Sequence, residues 1–210
     1  MKRSRPFPCL PVIAGALLIA GAMKSTAAVA AGSAEAGQAK AVVCSACHGV
    51  DGNSFNPEWP TIAGQNPAYF VRSLQAFKSG ERQNVLMAAQ VATLTDADMD
   101  DLAAFFVGKQ RQGRAADEKF VRTGERIYRG GNLESGIGAC IACHGPQGNG
   151  NGPAGYPAIG GQHAAYTAAQ LRAYRSNQRS SDVNQMMRNN TARLTDAEID
   201  ALASYIQGLR

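Results

Sequence analysis

Cys44-Ser45-Ala46-Cys47-His48 and Cys140-Ile141-Ala142-Cys143-His144 are the two stretches of this 210-residue chain whose reading decides the fold. Cysteines at i and i+3 with a histidine at i+4 set three side chains on one face of a helix. That is the attachment signature of c-type haem: two thioethers fix the macrocycle and the imidazole reaches the iron. A structural zinc site needs four ligands where each segment offers three, and a thioredoxin-like dithiol does not require a histidine directly after it, twice. The expectation is covalent haem at Cys44, Cys47, Cys140 and Cys143, with His48 and His144 as axial ligands.

The sequence around the signatures repeats with them. His48-Gly49, Gly52-Asn53, Pro60-Thr61-Ile62-Ala63-Gly64-Gln65 and Tyr69 return as His144-Gly145, Gly148-Asn149, Pro157-Ala158-Ile159-Gly160-Gly161-Gln162 and Tyr166. The offset grows from 96 at the cysteines to 97 at the glutamines and 100 at the segments Met87 to Asp98 and Met187 to Glu198, so only loop residues were gained. One domain has been duplicated, with halves at residues 32–112 and 113–210 and a polar linker from Gly108 to Ala116.

Helix signals recur in both copies. An Ala-rich segment predicts a helix from about Ala34 to the first signature, and its counterpart runs from about Asp117 to Arg129, stopped by Gly130-Gly131. Pro67 opens the next helix, carrying Tyr69, Leu74 and Phe77; the copy carries Tyr166, Leu171 and Tyr174. Thr95 with Asp98, and Thr195 with Glu198, start the last helix of each half, the second as a full capping box and the first as a shorter-armed version. Leu102, Phe105 and Phe106, like Leu202, Tyr205 and Ile206, mark one buried face. No period-2 strand is visible. The fold class is all-α, in two halves small for independent cores, each wrapped around a haem that supplies the missing apolar centre.

Residues 1–31 read as a cleaved signal peptide: Lys2, Arg3 and Arg5 precede the apolar run from Leu10 to Met23, and small residues Ala28 to Ala31 offer the cleavage site. The run is shorter than the roughly 20 residues of a helical span, which disfavours the alternative of an uncleaved anchor. The chain carries 21 basic and 16 acidic residues. Removal of the leader takes four basic and no acidic side chains, so +5 falls to +1 and nucleic acid is a poor partner. The remaining charge is uneven: residues 31–112 hold 6 basic and 8 acidic side chains, residues 113–210 hold 11 and 8. Arg172, Arg175 and Arg179 are expected on an exposed helix face, where they would meet an acidic partner.

An axial histidine needs a fixed acceptor for its other ring nitrogen. Pro60 and Pro157, 12 and 13 residues past His48 and His144, are the candidates; the alternative is that they only shape a turn. For the sixth ligand, Met87 and Met187 are the methionines that superpose under the repeat, each seven residues before Leu-Thr-Asp. Met186 adjoins Met187 and is the alternative, disfavoured by register; Met99 reads as core. His163 stands where the first half has Asn66, and a solvent-facing or propionate-contacting role is favoured over iron ligation. Trp59, Tyr156, Tyr69 and Tyr166 either border the haems or pack the core.

The chain resembles the dihaem cytochromes c4. Both haem signatures carry the resemblance, together with Gly64-Gln65, Gly161-Gln162-His163-Ala164-Ala165-Tyr166 and Tyr205-Ile206-Gln207-Gly208-Leu209, and it covers essentially the whole sequence after the leader. It implies two tandem class I cytochrome c domains in the periplasm, two covalent haem c groups, and His/Met ligation through His48, Met87, His144 and Met187. It further implies electron transfer from a quinol-oxidising bc complex or similar donor to a haem-copper terminal oxidase, with peripheral membrane association in some members. The stretch from Arg82 to Leu86, short before Met87, departs from the family pattern. A dihaem cytochrome subunit of a periplasmic dehydrogenase is the alternative. A haem enzyme such as a peroxidase needs an open iron position, which a methionine on each iron removes.

Overall fold

The computed structural model of the chain describes residues 32–210; the leader expected over residues 1–31 lies outside them. Ser33 caps α1 (Ala34–Lys40) by accepting from the Ala36 N–H at 3.2 Å. The helix then breaks once: Ala41, with ψ −10°, turns the axis into α2 (Val42–His48), which ends on the axial-ligand candidate. One predicted helix is therefore two, because the first must lie along the last helix of its half while the second presents the cysteines. α3 (Pro67–Ser79) begins on its proline as expected. α4 (Val85–Val91) carries Met87 and has no counterpart among the helices expected from sequence, being about two turns with no cap legible except Asn84, whose side chain accepts from the Met87 N–H at 2.9 Å. α5 (Asp96–Val107) closes the half behind the Thr95–Asp98 capping box, complete despite the shorter arm of aspartate.

The second half repeats the plan with α6 (Glu118–Gly130), α7 (Ile141–His144), α8 (Ala164–Arg175), α9 (Met186–Thr191) and α10 (Asp196–Gly208), a single 3-10 turn at Val183–Gln185 preceding α9. Among the described residues there is no strand, only the isolated bridges Asn132 to Ile137 and Asn151 to Tyr156. Nor is any described helix long and apolar enough to cross a membrane.

Each half has its own apolar cluster, and the clusters match position by position. Leu74, Phe77, Met99, Leu102, Ala103, Phe105 and Phe106 in the first correspond to Leu171, Tyr174, Ile199, Leu202, Ala203, Tyr205 and Ile206 in and around the second. Met99 is fully buried, as its helical register required. The halves are packed as one unit, and the polar linker is a bonded strap. Asn53, buried, donates to the Gln110 carbonyl at 2.9 Å and accepts from the Gln112 N–H at 2.9 Å. Arg111 and Arg114 donate to the carbonyls of Gly160 and Gly161 at 2.7 and 2.6 Å.

The first and last helices of each half meet at a glycine. A Cβ on Gly124 would lie 2.3 Å from the Ala201 oxygen and 2.5 Å from the Tyr205 Cβ; on Gly37 it would lie 2.0 Å from the Asp101 oxygen. Backbone atoms cannot yield cheaply. Alanine at Gly124 gains about 1 kcal/mol of helix propensity, while overpacking costs about 1–3 kcal/mol and displaces a helix. We therefore expect Gly124→Ala to lower the thermal midpoint of the haem-loaded protein, followed by far-UV circular dichroism. An unchanged or raised midpoint would show that α6 and α10 approach less closely.

Candidate haem sites

His48 ends α2 and His144 ends α7, and both rings are buried. The His48 Nδ1 lies 2.8 Å from the Pro60 carbonyl oxygen and the His144 Nδ1 lies 3.0 Å from that of Pro157. A carbonyl only accepts, so the proton belongs on Nδ1 and Nε2 keeps its lone pair. Burial holds both imidazoles below the ordinary histidine pKa, opposed in part by these carbonyls. A neutral ring of fixed tautomer, with one bare nitrogen, is what an iron ligand requires.

The loops that bring the prolines under the rings turn on a repeated glycine. Gly52 and Gly148 have φ of 81° and 70°, and their carbonyls accept from Ile62 and Ile159 at 2.7 and 2.6 Å. A Cβ on Gly148 would meet the Gly160 nitrogen at 2.6 Å, so this position needs glycine for conformation and space alike.

The first cysteine of each signature sits on the same cluster as the methionine of its half. Cys44, Ile62, Met87 and Leu94 pack against the first apolar core, and Cys140, Ile159 and Met187 against the second. In the second half a cavity opens between them, lined by Cys140, His144 and Met187 with Ile137, Leu171 and Leu202 among its apolar walls. Burial pushes the Cys44 thiol up and that of Cys140 up to about 11. A thiol–disulfide centre depresses its thiol instead. Among the described residues no group of three or more His, Cys, Asp or Glu is arranged to hold a bare metal ion. An apolar slot with a thiol, an imidazole and a thioether on its walls, and the second thiol of the signature three residues on from the first, fits haem c.

A second observation fits the haem from its acidic edge. Arg82 and Arg179 are buried in equivalent places and reach into the opposite halves: Arg82 donates to the Tyr166 hydroxyl at 2.7 Å and Arg179 to the Tyr69 hydroxyl at 2.9 Å. Both also donate to the side-chain oxygen of Gln170. These partners are neutral oxygens, and the Arg179 Nε has none. Burial alone would raise the Tyr69 pKa, but the charges of Arg179 and Arg82 outweigh it and hold the phenol below its ordinary range. Two desolvated cations call for anions nearby, and haem propionates have that charge.

Several sequence expectations change here. Arg179 is not on an exposed face: after α8 the chain folds back, the Arg179 N–H bonding to the Ala173 carbonyl at 3.0 Å, and the side chain goes inside. Arg172 and Arg175 are engaged with Asp196, and Arg172 also with Asp200 at 2.7 Å. His163 is buried, not solvent-facing, and its Nε2 is held 2.8 Å from the Ser54 carbonyl of the other half. Asn66 in the first half reaches across likewise, to the Tyr156 carbonyl at 2.6 Å. Met186 is exposed, its sulfur 3.8 Å from the Tyr156 hydroxyl, whereas Met187 lines the cavity. The inward arginines were missed, although both recur at an offset of 97 just past a helix end.

The comparisons agree with this geometry. The cytochrome c family model matches residues 34–108 and again 121–210. Cytochrome c4 of Stutzerimonas stutzeri is 46% identical over 190 residues, covering 86% of this chain and 90% of that one. A thiosulfate dehydrogenase electron acceptor of Stutzerimonas stutzeri (strain A1501) is 36% identical over 169 residues, covering 79% of this chain and 78% of its own length. The crystal structure of reduced recombinant cytochrome c4 from Pseudomonas stutzeri superposes with a TM-score of 0.84 at 45% identity, covering 86% of this chain and 100% of that chain. The chain thus belongs to the cytochrome c family, as a dihaem cytochrome c4 that binds one haem c covalently in each half and transfers electrons.

Proposed function

We propose that residues 32–112 and 113–210 are two electron-transfer domains, the first ligating its iron through His48 and Met87 and the second through His144 and Met187. Cys44 and Cys47, and Cys140 and Cys143, form the thioethers, and Pro60 and Pro157 fix the histidines. Haem c supplies a one-electron Fe(III)/Fe(II) couple whose potential is set by axial ligand, hydrogen bonding and burial. The observation that carries the reading is the placement of Met187, His144 and Cys140 around one apolar cavity, repeated in the first half by Met87 and Cys44 on the matching cluster. With both axial positions filled, no site is left for substrate at iron, which favours a carrier over an enzyme.

The carrier works in the periplasm, reached through the leader, between a respiratory donor such as a bc complex and a haem-copper terminal oxidase. The second half keeps the excess of basic side chains, but Arg179 is excluded from docking by its burial. Service to a dehydrogenase is the second reading, favoured by the likeness to the thiosulfate dehydrogenase electron acceptor. Reduction of the pure protein by a thiosulfate dehydrogenase, compared with reduction by bc complex, separates the two: rapid turnover with the dehydrogenase alone would overturn the respiratory reading.

Covalent attachment at Cys44, Cys47, Cys140 and Cys143 predicts, for the protein without its leader and hence without Cys9, an intact mass with two haems and no thiol open to labelling after denaturation. One reactive cysteine per half would contradict it. Met187→Ala is expected to give a high-spin second centre of lower potential, because a thioether favours Fe(II), whereas Met186→Ala leaves the spectrum nearly unchanged. Optical spectra of the two variants check this, and the reverse pattern would move the ligand to Met186.

A further inference from the structure

The peptide bond behind each axial histidine is held by a side chain from the opposite half. The Pro60 carbonyl accepts from the His48 Nδ1, and the N–H of that same peptide unit, on Thr61, donates to the Gln162 Oε1 at 2.9 Å. The Gln162 Nε2 returns a bond to the Thr61 carbonyl at 2.8 Å. The arrangement is reciprocal. The Pro157 carbonyl accepts from the His144 Nδ1, the Ala158 N–H donates to the Gln65 Oε1 at 2.8 Å, and the Gln65 Nε2 donates to the Ala158 carbonyl at 2.9 Å. Each glutamine oxygen also accepts from the next residue of its own chain, Asn66 or His163, at 2.9 and 3.0 Å, which fixes the amide's orientation. Gln65, Gln162, Thr61 and Ala158 are all buried.

Bonds at the two ends of one amide reinforce each other. Donation by its N–H draws electron density toward the carbonyl oxygen and makes it a better acceptor, more so at low dielectric. A better acceptor on Nδ1–H makes the imidazole a more basic ligand, which favours Fe(III) and lowers the potential. We propose that Gln162 is a positioning residue for the first haem and Gln65 for the second, so that each half sets the potential of the other's iron. This rests on His48 and His144 being the axial ligands, as argued above. It also makes the halves interdependent, since separating them would alter both potentials.

The test is an NMR redox titration of the full haem-loaded protein, each centre followed through its own haem-methyl resonances, assigned by contacts to Ile62 or Ile159. Gln162→Met, close in shape but without the amide, should raise the first midpoint by up to about tenfold in its one-electron equilibrium constant, about 59 mV. The second midpoint should stay in place, although Gln162 belongs to the second half. Gln65→Met should do the converse. Gln162→Glu keeps an acceptor facing the Thr61 N–H and should leave the first midpoint at or below the parent's, which covers the case where the methionine variant does not fold. Equal shifts of both centres, a shift confined to the variant's own half, or a glutamate variant as high as the methionine one would overturn the proposal. Loss of low-spin character in the parent after His48 or His144 is replaced is the separate check on the ligand reading: its absence would remove the ligands themselves, not the clamp.

Discussion

The hydrogen bond from each of the His48 and His144 imidazoles to a proline carbonyl is the constraint around which the rest is arranged. For the bond to form, a buried loop must bring a carbonyl under a ring at a helix end, and the loop must be stiff. Glycine at 52 and 148 lets the chain turn and pass close to its own backbone, and the following amide is fastened by a glutamine from across the molecule. A typical buried bond of this kind contributes about 0.5–1.5 kcal/mol net, but an orphaned amide costs about 1–3 kcal/mol. The glutamines therefore matter most through what their loss would leave unpaired.

The same logic explains why two small domains travel together. At the small end of domain sizes, each half needs the haem as its apolar centre, and many of the contacts it makes with its twin are polar. Glutamine, asparagine, histidine and arginine side chains cross between the halves to backbone oxygens and tyrosine hydroxyls. Such bonds specify register better than an apolar face would, because each has a single satisfactory partner. The unpaired Arg179 Nε belongs to this boundary, where haem propionates would supply the negative charge that a buried cation needs.

The repeat made most of this legible. The signatures placed the cysteines and histidines, proline spacing found the acceptors, and the threonine caps located the last helices, where both capping boxes are complete. What escaped was whatever depends on the opposite half. Arg179 read as one of three arginines on a helix, because helical periodicity says nothing of a chain that folds back at the helix end. His163 read as a solvent-facing or propionate-contacting group, because its partner, the Ser54 carbonyl, lies 109 positions away. The helices bearing Met87 and Met187 were too short to leave a period, and their backbones differ: Asn184 and Gln185 have positive φ before Met187, where the first half has a plain Asn84 cap. Gly64-Gln65 and Gly161-Gln162 were visible as repeated letters, with no local clue to what they bind.

Amide hydrogen exchange of the reduced, haem-loaded protein reads directly whether the Thr61 and Ala158 N–H groups are locked by the opposite half. Thr61 and Ala158 lie in loops with no helical partner. If the glutamines hold them, their N–H groups exchange as slowly as those of core residues Leu102 and Leu202, opening only when the halves separate. Exchange at the rate of exposed loop amides, with the core still protected, would contradict it.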